Sequence, residues 1–361
     1  MKKLAFTFLF AFSLTSVCLT QTKIWQVELT PFFDNTEFAA SPVTHDQTMA
    51  GTCLNPTIGL AFDSINRIMG GVSLLQELGS KNAIDQCIPI AYYAYEGKPF
   101  TFYMGAFPRK FAVEDYPKVF FQDSIAFYRP IMTGLSWKVS KNKNYFDVWL
   151  DWTGRQSTTQ RETFFMGLNG RLQKDVFYLQ HYGDWMHYAK TIDPPIGQFI
   201  HDNGLFLTSV GLDLTKKTNL DKLDINAGWL FGLERDRGTT NWLGHNGLMI
   251  DATIEYKGIG LKNTFYSGDK QMTFYSEEGN KLYWGDPVYR LNFYNRTDIF
   301  IKFFESDRVK TKFVYSLHVS EDRSFNERVF NEQALYVTVD LNNYKPKSDK
   351  KYSYLWSQKK N

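Results

Sequence analysis

Beyond residue 21, no stretch reaches the roughly 18 consecutive apolar residues that a membrane-spanning helix needs, so a helical membrane protein is excluded. Long helical periodicity is also scarce. The 361-residue chain has only three cysteines, so a disulfide-stapled miniature fold is ruled out. Charge of one sign is missing too. The net charge is +3 and no basic run is longer than a short tail, which argues against a nucleic-acid surface. No phosphate-cradling or dinucleotide glycine motif stands between a strand and a helix.

What is abundant is aromatic: Phe, Trp and Tyr make up 17% of the chain. They are arranged with a period of two, the mark of an extended strand with one apolar face. From 145 to 152, Phe146, Val148, Leu150 and Trp152 share one parity, and Tyr145, Asp147, Trp149 and Asp151 share the other. The pattern resumes after the polar link 153–161, with Phe164, Met166 and Leu168 opposite Gly167, Asn169 and Arg171. Along 248–257, Leu248, Ile250, Ala252 and Ile254 oppose Met249, Asp251, Thr253 and Glu255. Along 288–304, Arg290, Asn292, Tyr294, Arg296, Asp298 and Lys302 oppose a mainly apolar set that Asn295 and Thr297 interrupt.

The N-terminus reads as a secretory signal peptide, cleaved near residue 20: Lys2 and Lys3, an apolar core over 4–14, then small and polar residues. Cys18 fits a lipoprotein cysteine poorly, because Val17 precedes it. From 24 to about 341 roughly sixteen strands follow, fourteen being the alternative count. They are joined alternately by turns of three to six residues and by long loops. A soluble sandwich has no reason to keep that rhythm. In lipid, every backbone amide and carbonyl must be paired within the protein, and a closed barrel does this without an edge. The fold class expected is all-β: a membrane-spanning, antiparallel up-and-down β-barrel over 21–344. Residues 345–361 form a polar tail or a last strand.

At this architectural level the whole mature chain resembles a bacterial porin-type outer-membrane β-barrel. The segments FTFYMGAFPRK (100–110) and FDVWLDWTGRQ (146–156) are similar to uncharacterised outer-membrane barrel proteins of Bacteroides-like bacteria. Those segments bring no activity with them. The resemblance implies a Gram-negative outer-membrane location, outer-membrane lipid and the barrel assembly machinery as partners, and a homotrimer as a candidate assembly. One departure is the C-terminus, KYSYLWSQKKN, where such barrels end in a strand closed by Phe or Trp.

Strand parity nominates pore-lining residues: Asp147, Trp149, Asp151, Asn169, Arg171, Asp224, Asp251, Glu255, Arg290, Arg296 and Lys302. Both signs occur, which argues against strong ion selectivity, and Trp149 offers a face for sugar stacking. The alternative reading is a solvated inner wall with cross-strand pairs. Residues 108–130 are long enough to fold into the pore and would bring Arg109, Glu114, Asp115 and Arg129 to a constriction; a surface loop is the equal alternative. Cys53 and Cys87 fall at the ends of the first two external loops, which makes them a candidate disulfide.

Catalytic groups are sparse. His181, His187 and His201 lie near external ends with Asp184 and Asp202 close by, and a carboxylate–histidine pair is the currency of esterases and proteases. Ordinary interface histidines are the preferred reading. The segment 244–247 resembles the histidine segment of outer-membrane phospholipases, but no serine follows His245, so that activity is not carried over. The spacing of His181 and His187 matches no zinc motif. The sequence reading is therefore a channel, not an enzyme, passing small polar solutes or oligosaccharides, with no metal, cofactor or nucleic acid. The alternatives are a surface hydrolase of lipid or peptide in a barrel scaffold, and a plugged structural or binding barrel.

Overall fold

Alternating side chains put an apolar stripe on one face of every strand, and closing the sheet on itself satisfies each strand edge. The computed structural model describes residues 21–38, 41–320 and 329–345. The leader, most of the polar tail and the candidate strand around 352–356 lie outside the described residues. Sixteen strands, β1 (Thr22–Glu37) to β16 (Val329–Asn342), form a closed antiparallel barrel. Each strand pairs with the next, and β16 returns to β1 with Leu335 opposite Phe33. Two-residue turns such as Lys257–Gly258, where both φ angles are positive (50° and 80°), suit the right-handed twist of a hairpin.

The outer wall is apolar and exposed: Ile58, Met104, Phe177 and Val210 all point away from the lumen. On β7 (Asn144–Gly154), Asp147, Trp149 and Asp151 point inward with 0, 2 and 1% exposure, whereas Trp152 is 44% exposed on the outside. The opposing strand, β8 (Thr163–Lys174), places Gly167 across from Trp149. A Cβ at Gly167 would lie 2.2 Å from the indole, so glycine is required for the ring to lie flat on the wall.

The half of the lumen nearest the long loops is filled. Two loops turn inward, 109–130 and 269–292, and bond to each other: Gln122 N donates to Trp284 O at 2.8 Å and Asp286 N to Lys118 O at 2.8 Å. Val119, Phe121, Leu282, Trp284 and Tyr289 are buried between them and the inner wall. From β11 (Lys222–Asp236), the buried Glu234 carboxylate accepts from Met272 N, Thr273 N and the Tyr283 hydroxyl at 2.8–3.0 Å. Ordering so much loop backbone is offset by burying a dense aromatic core.

Two expectations are corrected here. Cys53 lies within β2 (Gln47–Ala61), not in a loop, and faces the lumen. Cys87, on β4 (Gln86–Glu96), faces out, so both thiols are free and on opposite sides of the wall. Arg290 is not a strand residue. It ends the one-turn 3-10 helix Pro287–Arg290 in the inward loop and lies 4.6 Å from the Tyr275 ring, because Asp286 and Pro287 start a helical turn before β14 (Phe293–Glu305) begins.

Candidate functional site

The nominated inner residues fall into three groups. Asp147, Trp149 and Asp151 lie beneath the plug: the Trp149 indole N–H donates to Tyr116 OH at 2.9 Å, and Asp151 is 2.6 Å from the Arg109 guanidinium. Arg109 and Arg129 hold the plug by lying 4.9 and 4.4 Å from the Trp284 ring. Burial and the adjacent Arg109 pull the Arg129 guanidinium below its ordinary value. Asn169 is buried with this first group. Below the plug is a chamber of about 930 Å³. Arg171, Asp224, Asp251 and Arg296 line it, with Glu114 and Asp115 on the underside of the plug. Lys302 pairs with Glu255 at 2.8 Å further along the inner wall.

The histidines are sorted by face. His201 is at the inner rim, 3.3 Å from Glu278. His245 bonds to Thr273 in the plug at 3.0 Å. His181 faces out and shares a hydrogen bond of 2.8 Å with Thr208. Asp184 is buried on the inner face, the opposite side of the wall from His181 and His187.

His187 differs, because a row of directly opposed outward residues runs through it across five strands. Trp152 on β7 opposes Phe164 on β8, which opposes His187 on β9 (Phe177–Tyr188). His187 in turn opposes Asp202 on β10 (His201–Asp213), and Asp202 opposes Arg235 on β11. The Trp152 and Phe164 rings stack at 5.3 Å, and Phe164 lies 4.9 Å from the His187 ring. His187 Nδ1 is 3.3 Å from Asp202 Oδ1.

Asp202 is 1% exposed, yet it sits on the outer face of the wall. Arg235 donates to Oδ2 at 2.8 Å, and Arg237 reaches both oxygens at 2.7 and 2.9 Å. Accepting those bonds, Asp202 pushes the Arg237 guanidinium above its already basic value. An ionised carboxylate only accepts, so in a neutral His187 the proton facing Asp202 is on Nδ1 and the lone pair is on Nε2. Arg235 lies 4.0 Å over Trp242, whose ring is 5.7 Å from Trp185. A base, an orienting carboxylate, two guanidinium groups and an aromatic belt therefore share one patch of the outer rim. Such a patch can activate water and hold an anionic group beside an apolar chain.

In the sequence, Asp193-Pro194-Pro195 makes 183–203 read as a loop, which hides the pairing of His187 with Asp202, and no motif marks Arg235 and Arg237 as partners. The available signal was parity: extending both strands to Tyr188 and from His201 puts His187 and Asp202 on one face.

Comparison with known proteins separates the fold from the chemistry. A family model described as lipid A 3′-O-deacylase-type matches residues 21–344. That family is named for an enzyme, which corrects the expectation that the chain is not one. No curated protein matches the chain in sequence. Among solved structures, OmpT of Vibrio cholerae, an outer-membrane protein, superposes with TM-score 0.53 at 7% identity, over 89% of this chain and 100% of that one. An anion-selective porin from Comamonas acidovorans gives 0.53 at 9% identity, over 89% and 99%. Pseudomonas putida OprB gives 0.51 at 8%, over 91% and 96%. At such identity the likeness is one of fold: a porin-like outer-membrane barrel.

Proposed function

We infer the function from one premise: the chain belongs to the lipid A 3′-O-deacylase-type family. On that premise we propose an outer-membrane hydrolase that removes an ester-linked acyl chain from lipid A-type lipids of the outer leaflet. The observation that carries the reading is the His187–Asp202 pair, held at the outward-facing rim on the long-loop side. In an outer-membrane barrel that side is external. The rim then meets the boundary between lipid headgroups and acyl chains, where the ester bond lies.

In this reading His187 Nε2 takes a proton from water as the water oxygen attacks the acyl carbonyl carbon. Asp202 stabilises the imidazolium that forms. The tetrahedral intermediate collapses, the bond from carbonyl carbon to sugar oxygen breaks, and the proton passes to that oxygen. The products are a free fatty acid and a sugar hydroxyl. Arg237 holds Asp202 through Nε and Nη2, and its side chain is 44% exposed, so its outer edge can also meet a phosphate of the headgroup. Trp152, Trp185 and Trp242 fix the depth of the acyl chain at the interface.

The filled upper lumen supports this reading over passive diffusion, because water-lined passage is interrupted where Trp149 and Trp284 are buried. The test is to incubate the folded chain with vesicles containing lipid A and follow lipid mass. Loss of one acyl chain from lipid A, with no change in phosphatidylethanolamine, is expected. Unchanged lipid A would remove the reading.

A further inference from the structure

Where the barrel closes, three carboxylates converge inside the wall. Asp34 comes from β1, Glu332 from β16 and Asp123 from the inward loop. Each offers one oxygen, and these oxygens all lie within 4.8 Å of one another. Thr36 opposes Glu332 and Asp34 opposes Ala334, so the two strand carboxylates are diagonal neighbours on one face of the closing seam. The loop is already docked there: Phe127 stacks on Phe32 at 3.9 Å and lies 5.8 Å from Tyr336.

Two further observations point to a missing positive charge. Asp34 is 1% exposed, and its Oδ1 has no hydrogen-bond partner; Oδ2 has only the Tyr336 hydroxyl, at 3.2 Å. A buried carboxylate oxygen left without a partner is costly. The charge count is also unbalanced. Asp34, Asp123, Asp286, Asp298 and Glu332 are grouped around three permanent cations, Lys118, Arg296 and Lys312. His318, with Nε2 3.3 Å from Glu332, reduces the excess by one only when protonated.

We propose that Asp34, Asp123 and Glu332 form a site for a hard divalent cation of calcium size, which fastens the plug to the first and last strands. Calcium takes six to eight oxygen ligands at about 2.3–2.6 Å in flexible geometry, whereas magnesium demands a near-ideal octahedron at about 2.1 Å and dehydrates reluctantly, so three carboxylates from three different elements suit calcium. The cation enters from the chamber, whose lining includes Asp123 and Lys118. It displaces the Lys118 ammonium, which now pairs with Asp123.

The test is calcium titration by calorimetry on the full folded chain, stripped with chelator, in a non-ionic detergent at pH 7.5. One calcium per chain is expected. Asp34→Asn and, separately, Glu332→Gln each weaken binding at least tenfold, with heat-modifiable gel mobility showing the barrel intact. Lys118→Gln tightens binding by removing the competitor. No calcium uptake by the parent chain would overturn the site, because protons would then balance the carboxylates. Parent-like binding by both folded acidic variants would overturn it equally.

Discussion

His187 Nδ1 and Asp202 Oδ1 lie 3.3 Å apart on adjacent strands, facing away from the lumen. Two arginines hold the carboxylate, and Phe164 packs against the imidazole with ring centroids 4.9 Å apart. In the proposed reading, the chemistry of this barrel is carried by this pair on its outer wall.

Replacing Asp202 tests the orienting role. Asp202→Asn keeps the shape but removes the charge that stabilises the imidazolium and that two guanidinium groups share. Deacylation kcat is expected to fall about 10²-fold with KM nearly unchanged. Steady-state kinetics on mixed vesicles reads the split, and a pure KM effect would assign Asp202 to binding instead.

Arg237 is expected to act on the substrate's anionic group. Arg237→Ala raises KM roughly tenfold, or about 1.4 kcal/mol, for phosphorylated lipid. The same variant loses the difference in KM between phosphorylated and dephosphorylated lipid, which comparison of the two substrates measures.

The plug makes a separate prediction about conduction. Single-channel recording on the parent chain is expected to show no stable open current. Trp284→Ala removes the ring that Arg109 and Arg129 flank and that packs 4.7 Å from Phe165. Such truncation costs about 3–5 kcal/mol, so the melting point falls and current bursts appear. A large steady current through the parent chain would show that the loops do not close the lumen.

Plug stability also depends on pH through Asp286. Burial pushes its carboxyl up to about 6, against the hydrogen bond that it accepts from Val288 N. The unfolded chain ionises first, so the contribution is fully present below about pH 4 and is lost as pH rises through 6. Melting curves at pH 4 and pH 7 read the slope, and Asp286→Asn flattens it.

The alternation of Asp147, Trp149 and Asp151 against Val148, Leu150 and Trp152 is legible because lipid and lumen demand opposite polarities along every strand. The plug is not legible. Val119, Phe121 and Trp284 pack against one another in irregular loops, so no period marks them. The rim site was hidden for a related reason. At the rim the outward face turns polar, and a strand carrying His187 or Asp202 there looks like a loop. Arg290 misled in the opposite direction, since its parity suits a strand that starts only at Phe293.

The most direct measurement is release of fatty acid from lipid A vesicles by two histidine variants of the folded chain. His187→Ala is expected to lower the rate by about 10²–10⁴-fold. His201→Ala, on the inner rim beside Glu278, is expected to leave it within about twofold of the parent. Full activity in His187→Ala, or loss in His201→Ala alone, would contradict an active site on the outer wall.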